Sequence, residues 1–502
     1  MNPNRESHAA LSREELIALV AAQADEIAAQ ADEIARQAAE IAALKAQFAE
    51  LERRLGLNST NSGKPPSSDG LKKPPRTRSL REPSDQPPGG QHGHRGETLR
   101  QVAVPDRIVD HFPSSCTACG AKVTAAMSSG HSARQIFDLP EPRPLVVTEH
   151  RAHDCVCERC GACSRAAFPD GVTAPVHYGP TITAFALYLL HYQLLPEDRL
   201  AELMADLFGA KLAAATLARM SRSGAARLQD FVAAVRDRVT AAAVKHLDET
   251  GFRIAAATQW LHVACTALLT FYRVSAKRGS LLANVTGIVV HDHWKPYYTM
   301  PNVRHALCNA HHLRELRALI DFNQEDWARK MQVLLRRAAH AVNLARQRDG
   351  GVKPPVLSKR LIERFERRYD AIVAEGLSYH EAQAPLQCGP RASPAAERKG
   401  GKRGRKPRRT GHNLLLRLAG RKADVLRFLN DPNVPFTNNQ AERDLRMMKV
   451  KQKISGGFRS LEGAMDFAVI RSFISTAKKQ GWNVIEALTE DPEAMAKALR
   501  TT

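Results

Sequence analysis

Apolar positions over residues 11–57 recur every seven residues. Val20, Ile27, Ile34, Ile41, Phe48 and Leu55 share one heptad position, and the heptad Ala22-Gln23-Ala24-Asp25-Glu26-Ile27-Ala28 returns unchanged at 29–35. Strong helix formers fill the rest, and no Gly or Pro interrupts between residue 11 and Gly56. The pattern predicts one long helix. The second seam position holds Gln23, Gln30 and Gln37, or Ala24, Ala31 and Ala38, depending on register. A modest coiled coil over 1–57 is therefore expected, pairing the chain into a homo-oligomer. The competing outcome is a single helix folded back on its own domain.

The periodicity stops at Asn58. Asn58-Ser59-Thr60-Asn61-Ser62-Gly63-Lys64-Pro65-Pro66 opens a Ser-, Pro- and Gly-rich basic stretch that runs to Gly89-Gly90-Gln91-His92-Gly93-His94-Arg95-Gly96. Such a composition buries no core, so 58–100 reads as a linker. Helical periodicity returns from Tyr178 to about Leu228, with Gly209 between a segment ending at Phe208 and another over Ala213–Met220. A helix, a glycine turn and a second helix suit helix-turn-helix DNA binding, and equally any helical bundle, over 171–240.

From Ala241 the period shortens to that of strands. Val244–Asp248, Trp260–Ala267, Leu269–Val274, Ile288–Asp292 and His305–Cys308 read as five strands. Residues 312–380 are mainly helical, 384–411 form an arm rich in Pro, Gly and Arg with eight basic residues in 398–409, and helices resume at Asn413. The fold class is multidomain α+β.

Composition narrows the function. Lys and Arg total 73 against 52 acids, a formal charge of +21. Residues 1–55 are net −4, so +25 falls on the remainder. That surplus favours a polyanionic partner, because each phosphate contact releases condensed counterions. The longest apolar run, Ala184 to Leu190, is too short to span a bilayer, and the polar N-terminus lacks a signal-peptide core. A cytoplasmic protein without a membrane partner is expected, nucleoid-associated when on DNA.

Six of the nine cysteines lie within 116–163. Cys116-x-x-Cys119-Gly120 and Cys157-x-x-Cys160-Gly161 form two knuckles that can present four thiolates to a structural Zn2+, defining a zinc-binding segment at 101–170. The 37 intervening residues exceed the usual zinc-ribbon spacing, and Cys155 or Cys163 is able to replace a ligand.

Three acids stand where elements end or start. Asp248 closes the first strand, Asp292 follows the fourth, and Glu442 opens a helix in Thr437-Asn438-Asn439-Gln440-Ala441-Glu442-Arg443. Converging, they suit two Mg2+ or Mn2+ ions and in-line phosphodiester attack. Lys449, two helical turns beyond Glu442, points the same way, and with Arg443 and Arg446 forms a candidate DNA-phosphate grip. Each acid has a plainer alternative. Asn439 and Glu442 have capping-box spacing, Asp248 suits a hairpin turn with Glu249 in solvent, and Asp292 suits a cap on the Trp-Pro turn. Cys308-x-x-His311-His312 is either a second metal ligand set or helix-start packing.

These strings together resemble the insertion-sequence-66 family of bacterial transposases. Asn58–Gly70, Gly89–Gly96, both knuckles, Tyr178-Gly179, Leu195-Pro196, Asp248-Glu249-Thr250-Gly251, His291-Asp292-x-Trp294-x-Pro296-Tyr297, Cys308-x-x-His311 and Asn438-Asn439-x-Ala441-Glu442-Arg443 carry the likeness in order. The resemblance implies a ribonuclease H-like catalytic domain at 241–502, with Asp248, Asp292 and Glu442 as its metal-binding acids and a helical insertion at about 312–435. It implies binding of terminal inverted repeats and target DNA by the zinc and helix-turn-helix segments, strand cleavage and strand transfer, and small accessory proteins of the same element. His293 departs from the small residue expected there. A DNA-binding regulator or inactive remnant is the alternative.

Overall fold

The computed structural model describes residues 12–56, 100–137, 145–172, 174–254, 257–279, 282–348, 357–383 and 408–501. The linker expected at 58–100 lies outside these except for Arg100. The basic arm expected at 384–411 lies outside them except for its last four residues. The chain divides into two compact units: Met1–Arg76 with Val176–Leu200 and Ala214–Thr502, and Thr77–Pro175 with Ala201–Ala213.

In the first unit, the heptad segment forms one helix, α1 (Arg13–Gly56). Its shared apolar positions, Val20 through Leu55, remain 52–88% exposed. In the second unit, the strands β1 (Asp154–Val156) and β2 (Cys163–Arg165) pair antiparallel. The knuckle Cys157–Cys160 is their turn, and Gly161 takes φ +72° to close it. The first knuckle repeats the device, with Gly120 at φ +74° and Ser115 bridged to Lys122.

The segment 171–240 resolves into α2 (Pro180–His191), α3 (Glu197–Phe208), α4 (Ala214–Arg227) and α5 (Gln229–Ala241). Residues of α3 from Ala201 on belong to the second unit. One face of α4, carrying Leu217, Met220, Gly224 and Ala225, is buried, and it meets α2 and the later helix α13 (Leu461–Gln480). A Cβ at Gly224 would stand 2.6 Å from Leu187 Cδ1, so that side chain would have to shift to admit one.

A five-stranded sheet follows: β3 (Val244–Ile254), β4 (Ala257–Cys265), β5 (Thr270–Ser275), β6 (Gly287–His291) and β7 (Val303–Leu307), in the order β5-β4-β3-β6-β7. The first three form an antiparallel meander, while β6 joins β3 and β7 joins β6 in parallel. The unbroken apolar run of β6 fits this position. Ile288 and Val290 enter one core cluster and Val289 another, so the strand is buried on both faces.

The first acid does not close its strand. β3 continues six residues past Asp248 to Ile254, paired throughout with β4. What ends beside Asp248 is its parallel partner β6. The expected strand end is thus a mid-strand position at the carboxyl edge of the parallel half.

After β7 come α6 (Asn309–Asn323), α7 (Asp326–Arg348), α8 (Lys359–Glu381), α9 (Thr410–Gly420) and two single turns, α10 (Lys422–Val425) and α11 (Arg427–Asn430). Trp327, Tyr369 and Leu414 sit at their centre, in one cluster with Ile288 and Val290 of the sheet. The chain then returns through α12 (Asn439–Ser455) to α13, α14 (Val484–Thr489) and α15 (Pro492–Lys497). Leu445 and Met448 of α12 pack against Phe252 and Val263. Among the described residues no helix is long and apolar enough to cross a membrane.

Candidate active site

Register places the acids. His246 of β3 lies opposite Val290 of β6, so two residues on, Asp248 stands abreast of Asp292. His291 lies opposite Leu307, so Asp292 stands abreast of Cys308. Residues side by side in a sheet share a face. Asp248, Asp292 and Cys308 therefore form a row across the strand ends on the face that α12 covers.

Asn438 brings Glu442 to that row. It caps α12, but its side chain does not bond the helix. Its Nδ2 donates to Leu247 O and its Oδ1 meets His246 Nδ1, both at 2.8 Å, and its amide donates to Cys308 Sγ at 3.1 Å. The first turn of α12 is thereby fixed to β3 and to the start of α6. Asn439 is the first helical residue rather than the cap, which removes the capping-box role for Glu442.

Asp248 senses the other two carboxylates. Burial, then the charges of Glu249, Asp292 and Glu442, push Asp248 well above the usual carboxylate range, against one hydrogen bond from the Glu249 amide. Burial likewise raises Asp292, although the Trp294 amide, donating to Oδ1 at 2.9 Å, and Arg278 oppose it. The turn-capping role read for Asp292 is therefore present alongside its place in the row. Glu442 Oε1 is buried without a hydrogen-bond partner. Buried, mutually repelling acids with an unsatisfied oxygen fit a divalent cation.

Several contributors were not legible beforehand. Glu249 is not in solvent: its side chain is 2% exposed, Arg278 bonds it at 2.7 Å, and the Tyr297 hydroxyl donates to it. The Arg278 guanidinium lies 5.1 Å from the Trp260 ring and 4.3 Å from that of Trp294. Only the acids themselves carried a signal in sequence. His293 is partnered by the Tyr298 hydroxyl at 2.8 Å and sits against the His312 ring, so a large residue is accommodated there.

The basic candidates separate. Lys449 is half-buried and donates to Gly251 O at 3.3 Å. Arg443 and Arg446 are exposed, with Arg443 bonded to Gln440 at 2.8 Å. Asp444, the neighbouring acid of α12, is held by Lys479 at 2.6 Å. In the second unit, Cys119, Cys157 and Cys160 are exposed and Cys116 partly so. Among the described residues, the metal-competent group of three is Cys308, His311 and Glu442, so neither the two knuckles nor Asp248, Asp292 and Glu442 are gathered into one cluster.

The model of the Transposase IS66 family matches residues 175–466, more than half of the chain. The chain belongs to the IS66 family of transposases. The matched part of this IS66-family chain contains the whole sheet, Asp248, Asp292 and Glu442. A second model, a family of unknown function (DUF6444), matches residues 13–100, which include α1. An uncharacterized protein of Sinorhizobium fredii, y4jO, is 36% identical over 96 residues, or 18% of this chain. The chain spans 30% of the length of that relative.

Proposed function

We propose that this chain is the DNA-cutting and strand-joining transposase of a bacterial insertion sequence, with Asp248, Asp292 and Glu442 as its catalytic acids. The observation that carries this reading is the row formed by Asp248, within β3, and Asp292, one residue past the end of the parallel β6, with Glu442 in the first turn of α12, which Asn438 ties to β3. The meander followed by two parallel strands, in the order β5-β4-β3-β6-β7, supports a ribonuclease H-like core, and α6–α11 form its helical insertion.

The three acids would hold Mg2+ or Mn2+. Bound there, such ions supply Lewis acidity at the phosphate and a lowered pKa for the attacking water or 3′-hydroxyl. The chain's own groups do the rest. Asp248 is fixed by strand pairing and Asp292 follows directly on the last paired residue of β6, and each accepts a backbone amide that limits its rotation. Arg278, braced by Glu249 and two tryptophans, sets positive charge beside Asp292. The exposed Arg443 and Arg446 meet DNA phosphates, while the buried Lys449 steadies α12 on β3 more than it grips substrate.

Cys116, Cys119, Cys157 and Cys160 would hold a structural Zn2+ once the two knuckles, which are not gathered into one cluster here, come together. Their described surroundings are almost wholly exposed, and so small a segment without a core ordinarily needs a metal. That segment and the helices α2–α5 bind the terminal repeats, α1 joins protomers so that two element ends meet, and small accessory proteins of the element assist.

A marked mini-element bounded by its native ends tests the reading in bacterial cells. Transposition with the wild-type chain and its loss with Glu442→Gln, by on the order of a thousandfold or more, is the expected result. Equal transposition by both removes Glu442 from the chemistry. Failure of both with end binding intact favours a regulator that binds without cutting.

A further inference from the structure

We propose that Cys308, His311 and Glu442 form a second, chemically distinct metal site, suited to a borderline ion such as Zn2+ rather than to Mg2+. One donor atom of each lies within 4.8 Å of the others. Cys308 immediately precedes α6, His311 lies in its first turn, and Glu442 lies in the first turn of α12. The site shares Glu442 with the acidic trio but stands whatever reaction that trio performs.

Two of the three donor atoms face each other unsatisfied. His311 Nδ1 and Glu442 Oε1 are buried without hydrogen-bond partners, 3.9 Å apart. That separation is too long for a hydrogen bond, yet close to what a shared ion needs. A tetrahedral ion with bonds of about 2.0–2.3 Å holds its donors roughly 3.3–3.7 Å apart.

The sulfur has the surroundings of a ligand. The Asn438 amide donates to Cys308 Sγ at 3.1 Å. Cys308-x-x-His311 has the spacing of the two Cys-x-x-Cys knuckles, with histidine in second place. A thiolate, an imidazole and a carboxylate suit Zn2+, whereas Mg2+ takes oxygen donors. Three protein ligands leave a fourth position for water or a substrate oxygen.

Zinc itself is the probe. The purified full chain and its variants are dialysed after Zn2+ loading, their metal content is measured, and crystals are examined by anomalous diffraction at the zinc edge. The expected result is one zinc fewer per chain in Cys308→Ser and in His311→Gln, with no loss in Asp292→Asn. An anomalous peak about 2.0–2.4 Å from Cys308 Sγ and His311 Nδ1 is also expected. Equal zinc in wild type and His311→Gln overturns the proposal, and so does a peak only between Asp248 and Asp292. His311→Gln decides the matter if Cys308→Ser does not fold. Because Asp292→Asn disables the trio alone, failure of this site and failure of the catalytic reading give different results.

Discussion

Asp248 is surrounded on every side by reasons not to ionise: burial first, then Glu249, Asp292 and Glu442. A carboxyl raised in the fold is protonated more readily there than in the unfolded chain. Its contribution is therefore most favourable below the unfolded value of about 3.9 and is lost as pH climbs through the folded value. Without added magnesium, Asp248→Asn should raise the thermal midpoint at pH 7–8 by several degrees, and the gain should vanish near pH 4. Differential scanning calorimetry across that range decides it, and a lowered midpoint at pH 8 would contradict the repulsion. At this scale the sequence was only half legible. The acid types and their order were readable, because a carboxylate beside an apolar strand stands out in the sequence. The grip of Asn438 on His246 and Leu247 was not, since it joins residues nearly two hundred positions apart.

Among the elements, β6 bears the tightest constraint. Gly287 opens it at φ +77°, and a Cβ there would stand 2.7 Å from Ala243 O. Both the left-handed backbone and the close carbonyl exclude a side chain. Gly287→Ala should cost about 1–3 kcal/mol in urea unfolding and should reduce cleavage further by displacing Asp292 at the other end of a five-residue strand. The five strands of the large sheet were visible as short runs rich in apolar and β-branched residues. The misplaced end of β3 has a physical cause: Thr250-Gly251 reads as a turn, but full pairing with β4 carries the strand through it. The helices α6–α9 were legible as a block because their apolar stripes recur at helical spacing. Their boundaries around the basic stretch were not, because composition there gives no period.

Across the whole molecule, α1 presents Ile27 and Ile34 each 66% exposed, so neither has a protomer-internal contact to lose. The proposed pairing of protomers through α1 predicts that replacing both with lysine yields a monomer by light scattering and leaves the thermal transition of the remaining domains within a degree or two. An unchanged mass would place oligomerisation elsewhere. The heptad was the most legible feature of the chain, being purely local. The relation of the knuckles to one another was the least legible, because spacing alone does not say which thiols meet. The seam between insertion and sheet has a further consequence. The chain leaves β7 at Cys308 and comes back at Asn438 with the two ends already stitched together, Asn309 N to Phe436 O at 3.1 Å and Asn438 N to Cys308 Sγ. The intervening helices hang from adjoining posts, like a detour whose exit and return share one junction. Evolution is thereby free to lengthen, trim or exchange that detour as an accessory module, while the distance between the second acid and the third stays the same.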